Sequence, residues 1–122
     1  MQLRYSVLAC LLALSFAAGM AATSPLDPVR VAPHIYQVAF ENERVRVLKR
    51  TIRNGETSPL MSQPDRVVVY LNPCAWLVEN SDGSKHMESF NFGEPTWAPA
   101  ETHGGVTSTV VQQCSVVEVE LK

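Results

Sequence analysis

Arg66-Val67-Val68-Val69-Tyr70-Leu71 is a nearly continuous apolar run, the pattern of a strand buried on both faces or close to it, and Asn72-Pro73 ends it. Shorter strand-like segments surround it. His34 to Phe40 alternates weakly, Glu41-Asn42-Glu43 reads as a turn, and Arg44 to Ile52 is rich in β-branched residues. Asn54-Gly55 is a strong turn signal. Ala75 to Glu79 and Lys85 to Phe90 flank Asn80-Ser81-Asp82-Gly83-Ser84 and predict a hairpin. Gly93 to Pro99 is a proline-punctuated approach, and two strands close the chain, Val106 to Gln113 and Ser115 to Leu121. The last one alternates strictly, with Val117, Val119 and Leu121 on one face and Glu118 and Glu120 on the other. No helical period, internal repeat or low-complexity tract follows the N-terminal segment. Many short strands with frequent turns predict an all-β sandwich or barrel.

The N-terminal segment has a different character. Arg4 precedes the apolar run Val7 to Leu14, and small residues follow at Ala17, Ala18, Gly19, Ala21 and Ala22. This is the layout of a secretory signal peptide over residues 1–22, cut near Ala21 or Ala22. Val7-Leu8-Ala9-Cys10 has the outline of a lipoprotein site, but the apolar core before Cys10 is short for one. Residues 23–33 hold Pro25, Pro28 and Pro33 without periodicity and predict an extended arm; residues 34–122 form the domain. No later segment is long and apolar enough to span a bilayer. The expected location is therefore secreted or periplasmic.

Composition narrows the function. With 122 residues and a formal charge of −2, the chain is one small domain and a poor match for a nucleic-acid binder. Cutting after residue 22 removes one base, Arg4, and leaves nine basic and twelve acidic residues, net −3. Cys10 leaves with the signal, and Cys74 and Cys114 remain as a disulfide pair or two buried thiols. Arg44, Arg46, Lys49, Arg50 and Arg53 are the one basic concentration. On a strand Arg44, Arg46 and Arg50 project to one side, where pairing with Glu118 and Glu120 across the sheet is preferred to an anionic partner. There is no Ser-His-Asp order, supported Cys-His pair or phosphate loop.

Three stretches carry a resemblance to small single-domain cupins across residues 34–122. The first is Phe40-Glu41-Asn42-Glu43-Arg44-Val45-Arg46-Val47-Leu48. In the second, Gly55 is followed by Met61 and Gln63 at the places of two histidines, Val67 or Val68 at the glutamate place, and Cys74 at the second glycine place. The third, Gly93 to His103, keeps its histidine. The resemblance implies a jelly-roll β-barrel of two antiparallel sheets around a pocket, a family-type metal site degenerate at three of four ligands, and, by analogy, a homodimer paired through sheet edges. It also sets the Val67–Leu71 strand antiparallel to the final strand, which favours a Cys74–Cys114 disulfide.

Met61, Gln63, Val67, Trp97 and His103 are the expected pocket residues, with Trp97 at the rim. A thioether, an amide and one imidazole do not suit zinc, iron or manganese, so no metal or other cofactor is expected. The preferred reading is a non-catalytic exported protein that binds a small molecule or an envelope protein. Two alternatives compete. One is a cupin enzyme, isomerase or oxygenase-like, using a metal held by Met61, Gln63 and His103, or using His103 as acid or base with Glu101 or Asp65. The other is a Cu(I) carrier using Met61 and His103.

Overall fold

A computed structural model describes residues 24–105 and 108–122; the expected signal peptide lies outside them. Ten strands and one helical turn make up the domain: α1 (Pro28–Val31), β1 (Tyr36–Glu41), β2 (Val45–Ile52), β3 (Met61–Gln63), β4 (Arg66–Tyr70), β5 (Cys74–Glu79), β6 (Lys85–Phe90), β7 (Pro95–Ala98), β8 (Glu101–His103), β9 (Ser108–Gln112) and β10 (Cys114–Leu121). They form a five-stranded sheet in the order β1-β2-β10-β4-β7, a three-stranded sheet β6-β5-β9, and the pair β3-β8, all antiparallel. This is an all-β jelly-roll fold. No helix among the described residues is long and apolar enough to cross a membrane.

The hairpin expected around Asn80 to Ser84 joins β5 to β6, with Glu79 opposite Lys85. The final strand runs antiparallel to β4, with Tyr70 opposite Val116 and Arg66 opposite Glu120. This register brings the ends of both strands together, and Cys74 and Cys114 form a disulfide with Cα atoms 5.2 Å apart. One local expectation fails, and one pair of strands is not foreseen. Residues 28–31 make a helical turn where an extended arm is expected, with Pro28 at its start and Asp27 and Ala32 buried. The short pair β3-β8 carries too few residues to show a period.

The large sheet is built with its charges inward. Arg46, Leu48, Arg50 and Ile52 of β2, Val116, Glu118 and Glu120 of β10, and Arg66, Val68 and Tyr70 of β4 point to the interior; of these only Arg46 is more than marginally exposed. The outer face carries one apolar row, with Gln37, Lys49, Thr51 and Ser115 beside it. Phe40, Val47, Val119, Val67 and Trp97 lie opposite one another in a row that crosses all five strands. The expected pairing of the β2 arginines with the β10 glutamates forms, Arg46 with Glu120 and Arg50 with Glu118, and it lies inside the barrel. Arg44 falls in the preceding bend and is exposed. The interior tolerates these charges because opposite signs sit together: Arg46, Arg50 and Arg66 meet Asp27, Glu118 and Glu120.

Candidate functional site

Both sheets and the β3-β8 pair line a cavity of about 450 Å³ that holds Arg50, Arg66, Glu118, His103 and Glu101 among its walls. Its apolar walls include Val68, Tyr70, Trp76 and Phe90, the two phenyl rings stacked at 4.3 Å.

Strand pairing builds the polar end. Met61 lies opposite His103, and Gln63 opposite Glu101, so alternate residues of β3 and β8 face the same way. Gly104 ends β8 at φ +96°, and a Cβ there would collide with the carbonyl oxygen of Pro59, so glycine alone lets the chain pass after His103. Gln63 then reaches three partners. Its Nε2 donates to Glu118 at 2.6 Å and to Glu120 at 3.1 Å, and its Oε1 is 2.8 Å from Nε2 of His103. Two carboxylates can only accept, so the amide nitrogen must face them. The amide oxygen is then an acceptor, which requires a proton on His103 Nε2. Neutral His103 therefore carries its lone pair on Nδ1. Burial, and next the Arg66 guanidinium, whose terminal nitrogen lies 3.4 Å from Nε2, hold His103 below the usual histidine range.

The ion network is continuous behind this chain. Arg46 joins Asp27 to Glu120 at 2.6 Å; burial opposes its charge, but the hydrogen bonds to both carboxylates prevail and raise its pKa. Arg50 is likewise opposed by burial and held charged chiefly by Glu118, 3.0 Å away. Its guanidinium sits 6.0 Å from the ring centre of Tyr36 and 5.7 Å from that of Trp76. Arg66 donates to Glu101 at 2.8 Å and approaches Glu118 at 3.6 Å. Burial raises the phenols of Tyr36 and Tyr70, with Arg50 opposing it in both.

Of the expected pocket residues only His103 is on the cavity wall; Gln63 bonds it from behind that wall, and Met61, opposite, is fully buried in the apolar core. The structure separates Val67 and Trp97 from the cavity. The two pair with each other on the outer face of the sheet, because β4 alternates and it is Val68, not Val67, that points inward. Trp97 is 55% exposed. Neither expected acid partner bonds His103: Glu101 holds Arg66, and Asp65 accepts from the backbone nitrogen of Ala100 at 2.7 Å. His34 is exposed, and His86 pairs with Glu88 at the surface. Arg66 and the inward placement of Glu118 and Glu120 are absent from the sequence reading. The signal available was the polar alternation of β2 and β10, which fixes a shared face without saying which side of the sheet is inside.

The fold is that of the cupins. A cupin domain from Bordetella pertussis Tohama I superimposes with a TM-score of 0.58 at 23% identity, over 72% of this chain and 92% of its own. A cupin superfamily protein from Desulfitobacterium hafniense gives 0.52 at 11% identity, over 71% and 75%. The polyketide cyclase RemF from Streptomyces resistomycificus gives 0.52 at 20% identity, over 70% and 63%. No family model and no curated protein sequence matches the chain.

The metal that cupins usually hold does not fit this donor set. The Gln63 oxygen is taken by His103, His103 Nε2 carries a proton, Met61 is a thioether in the apolar core, and Val68 offers no donor. Among the described residues, no three His, Cys, Asp or Glu side chains are grouped as ligands. A guanidinium beside His103 supplies the positive charge instead.

Proposed function

We propose that this chain is an exported cupin-fold protein that binds a small molecule in its cavity, without the family metal and without catalysis. Export rests on the basic start, apolar run and small-residue site of residues 1–22. The metal-free reading rests on one observation: the Gln63 amide is hydrogen-bonded at both ends, to Glu118 and Glu120 and to His103. A cation entering there would have to break these bonds and face Arg66. An aromatic-walled cavity with a few converging polar groups suits a small organic ligand.

Elemental analysis of purified protein tests the reading, with the expected result well below one transition metal per chain. Near one metal per chain, lost in His103→Ala, overturns it.

A second reading has its own support. A neutral His103 with its lone pair on Nδ1, and no partner for that atom among the described residues, is suited to take a proton from a bound substrate. Turnover of any cavity ligand, abolished in His103→Gln while binding persists, would favour this enzyme over a carrier.

A further inference from the structure

Arg50 is a buried charge whose hydrogen bonding is unfinished. Its side chain is 8% exposed and lines the cavity, yet its Nε has no partner among the described residues. Its contact with Glu118 is close at 3.0 Å but poorly directed, so Glu118 Oε1 is left without a hydrogen bond as well. The neighbouring Tyr36 hydroxyl and Arg66 Nε also lack a well-directed hydrogen bond among the described residues. Of these four groups, three can donate and one can only accept.

The charges explain the shortage. Glu118 serves two guanidiniums, Arg50 and Arg66, and also accepts from Gln63. Glu120 and Asp27 are spent on Arg46. Glu101 takes one end of Arg66 but is 42% exposed, and Glu88 on the cavity wall is exposed beside His86. The floor of the cavity thus has two guanidiniums to one buried carboxylate. A buried guanidinium is stable when its fork is met by acceptors, and a carboxylate meets it on two N–H groups at once.

We propose that the cavity takes a small organic carboxylate, its oxygens on the Arg50 guanidinium and its apolar body between Trp76, Tyr70 and Phe90. This inference rests on the reading of the cavity as a metal-free binding site. Arg50 is the positioning group that orients the ligand, and the ring faces around it keep water from the ion pair. The apolar walls select a ligand with a flat or aliphatic body rather than a free mineral anion.

Calorimetric titration with benzoate, benzamide and phenylphosphonate tests this, on protein whose metal content is measured in the same samples. Benzoate should bind at least about tenfold more tightly than benzamide, because only the anion offers two charged acceptors to the fork. Arg50→Met should remove that preference. Because Arg50→Met takes away one of the two guanidiniums that serve Glu118, Arg50→Met with Glu118→Gln keeps the interior charge balanced, and it should fold by circular dichroism and bind benzoate no better than benzamide. Equal binding of benzoate and benzamide by the unaltered protein, or a preference that survives in the folded double variant, overturns the proposal. Tighter binding of phenylphosphonate overturns the carboxylate assignment. Failure of metal-free protein to bind benzoate overturns the ligand class alone. Benzoate binding that disappears with a chelator overturns the metal-free reading as well.

Discussion

Nε2 of His103 donates to Oε1 of Gln63 across 2.8 Å, and this one bond decides which nitrogen of the imidazole is left as a base. Gln63 can play the acceptor only because Glu118 and Glu120 hold its amide nitrogen on the other side. Replacing Gln63 by Leu leaves three buried groups without this partner. We expect a loss of about 1–3 kcal/mol for each group that finds no other partner. Urea unfolding measures it, and nitrogen NMR should show the His103 proton on Nε2 in the unaltered protein and no longer confined there in Gln63→Leu. Unchanged unfolding and tautomer would show that Gln63 does not hold the ring.

The depressed pKa of His103 makes stability depend on pH in a fixed sense. The unfolded chain protonates near the ordinary histidine value of 6.5, and the folded protein only at lower pH. Between these values the unfolded state binds more protons, so stability is full above pH 6.5 and declines as pH falls toward the folded value. Urea midpoints across mildly acidic pH should fall, and His103→Gln should flatten this part of the profile. A profile rising toward acid would contradict the assignment.

The two raised phenols act at the other end. Tyr36 and Tyr70 ionise in the unfolded chain near the ordinary value of 10.0, and later in the folded protein. Their contribution is full below pH 10 and is lost as pH rises above it. Ultraviolet titration should show two of the tyrosines ionising only above that value.

Arg46 ties the segment before α1 to β10 through Asp27 and Glu120. Arg46→Met strands both carboxylates, and we expect about 3–5 kcal/mol of destabilisation. Adding Asp27→Asn and Glu120→Gln should recover most of it. A loss confined to the length of the side chain, unchanged by the added substitutions, would show that the charges are not coupled.

The Cys74–Cys114 bridge closes a separation of 40 residues. Replacing both with Ser should lower stability by about 2–4 kcal/mol. Mass mapping after treatment of native protein with a thiol reagent should find both positions unmodified; modification at either would remove the bridge.

The strands were legible wherever β-branched residues ran between turn signals, as in Arg44 to Ile52 and Ser115 to Leu121. β3 and β8 were not, since three residues carry no period and their pairing is set by distant chain. Motif spacing singled out Gln63 and His103, which are hydrogen-bonded, though only His103 is on the cavity wall. It placed Val67 and Trp97 wrongly, because a shift of one position in a strand changes the face. Pairing of the β2 arginines with Glu118 and Glu120 was legible, but not which arginine meets which glutamate or on which side of the sheet. Alternation says that Glu118 shares a face with Glu120; only the closed barrel decides that this face is the interior.

The strand at the middle of the large sheet, β10, is also the last of the described strands along the chain. A ribosome that has produced everything up to Gln113 has supplied two halves, β1-β2 and β4-β7, with nothing to join them. The arginines on those halves wait for Glu118 and Glu120, and Cys74 waits for Cys114. The large sheet therefore cannot close until the eight residues of β10 are available to pair with both halves, wherever the polypeptide folds.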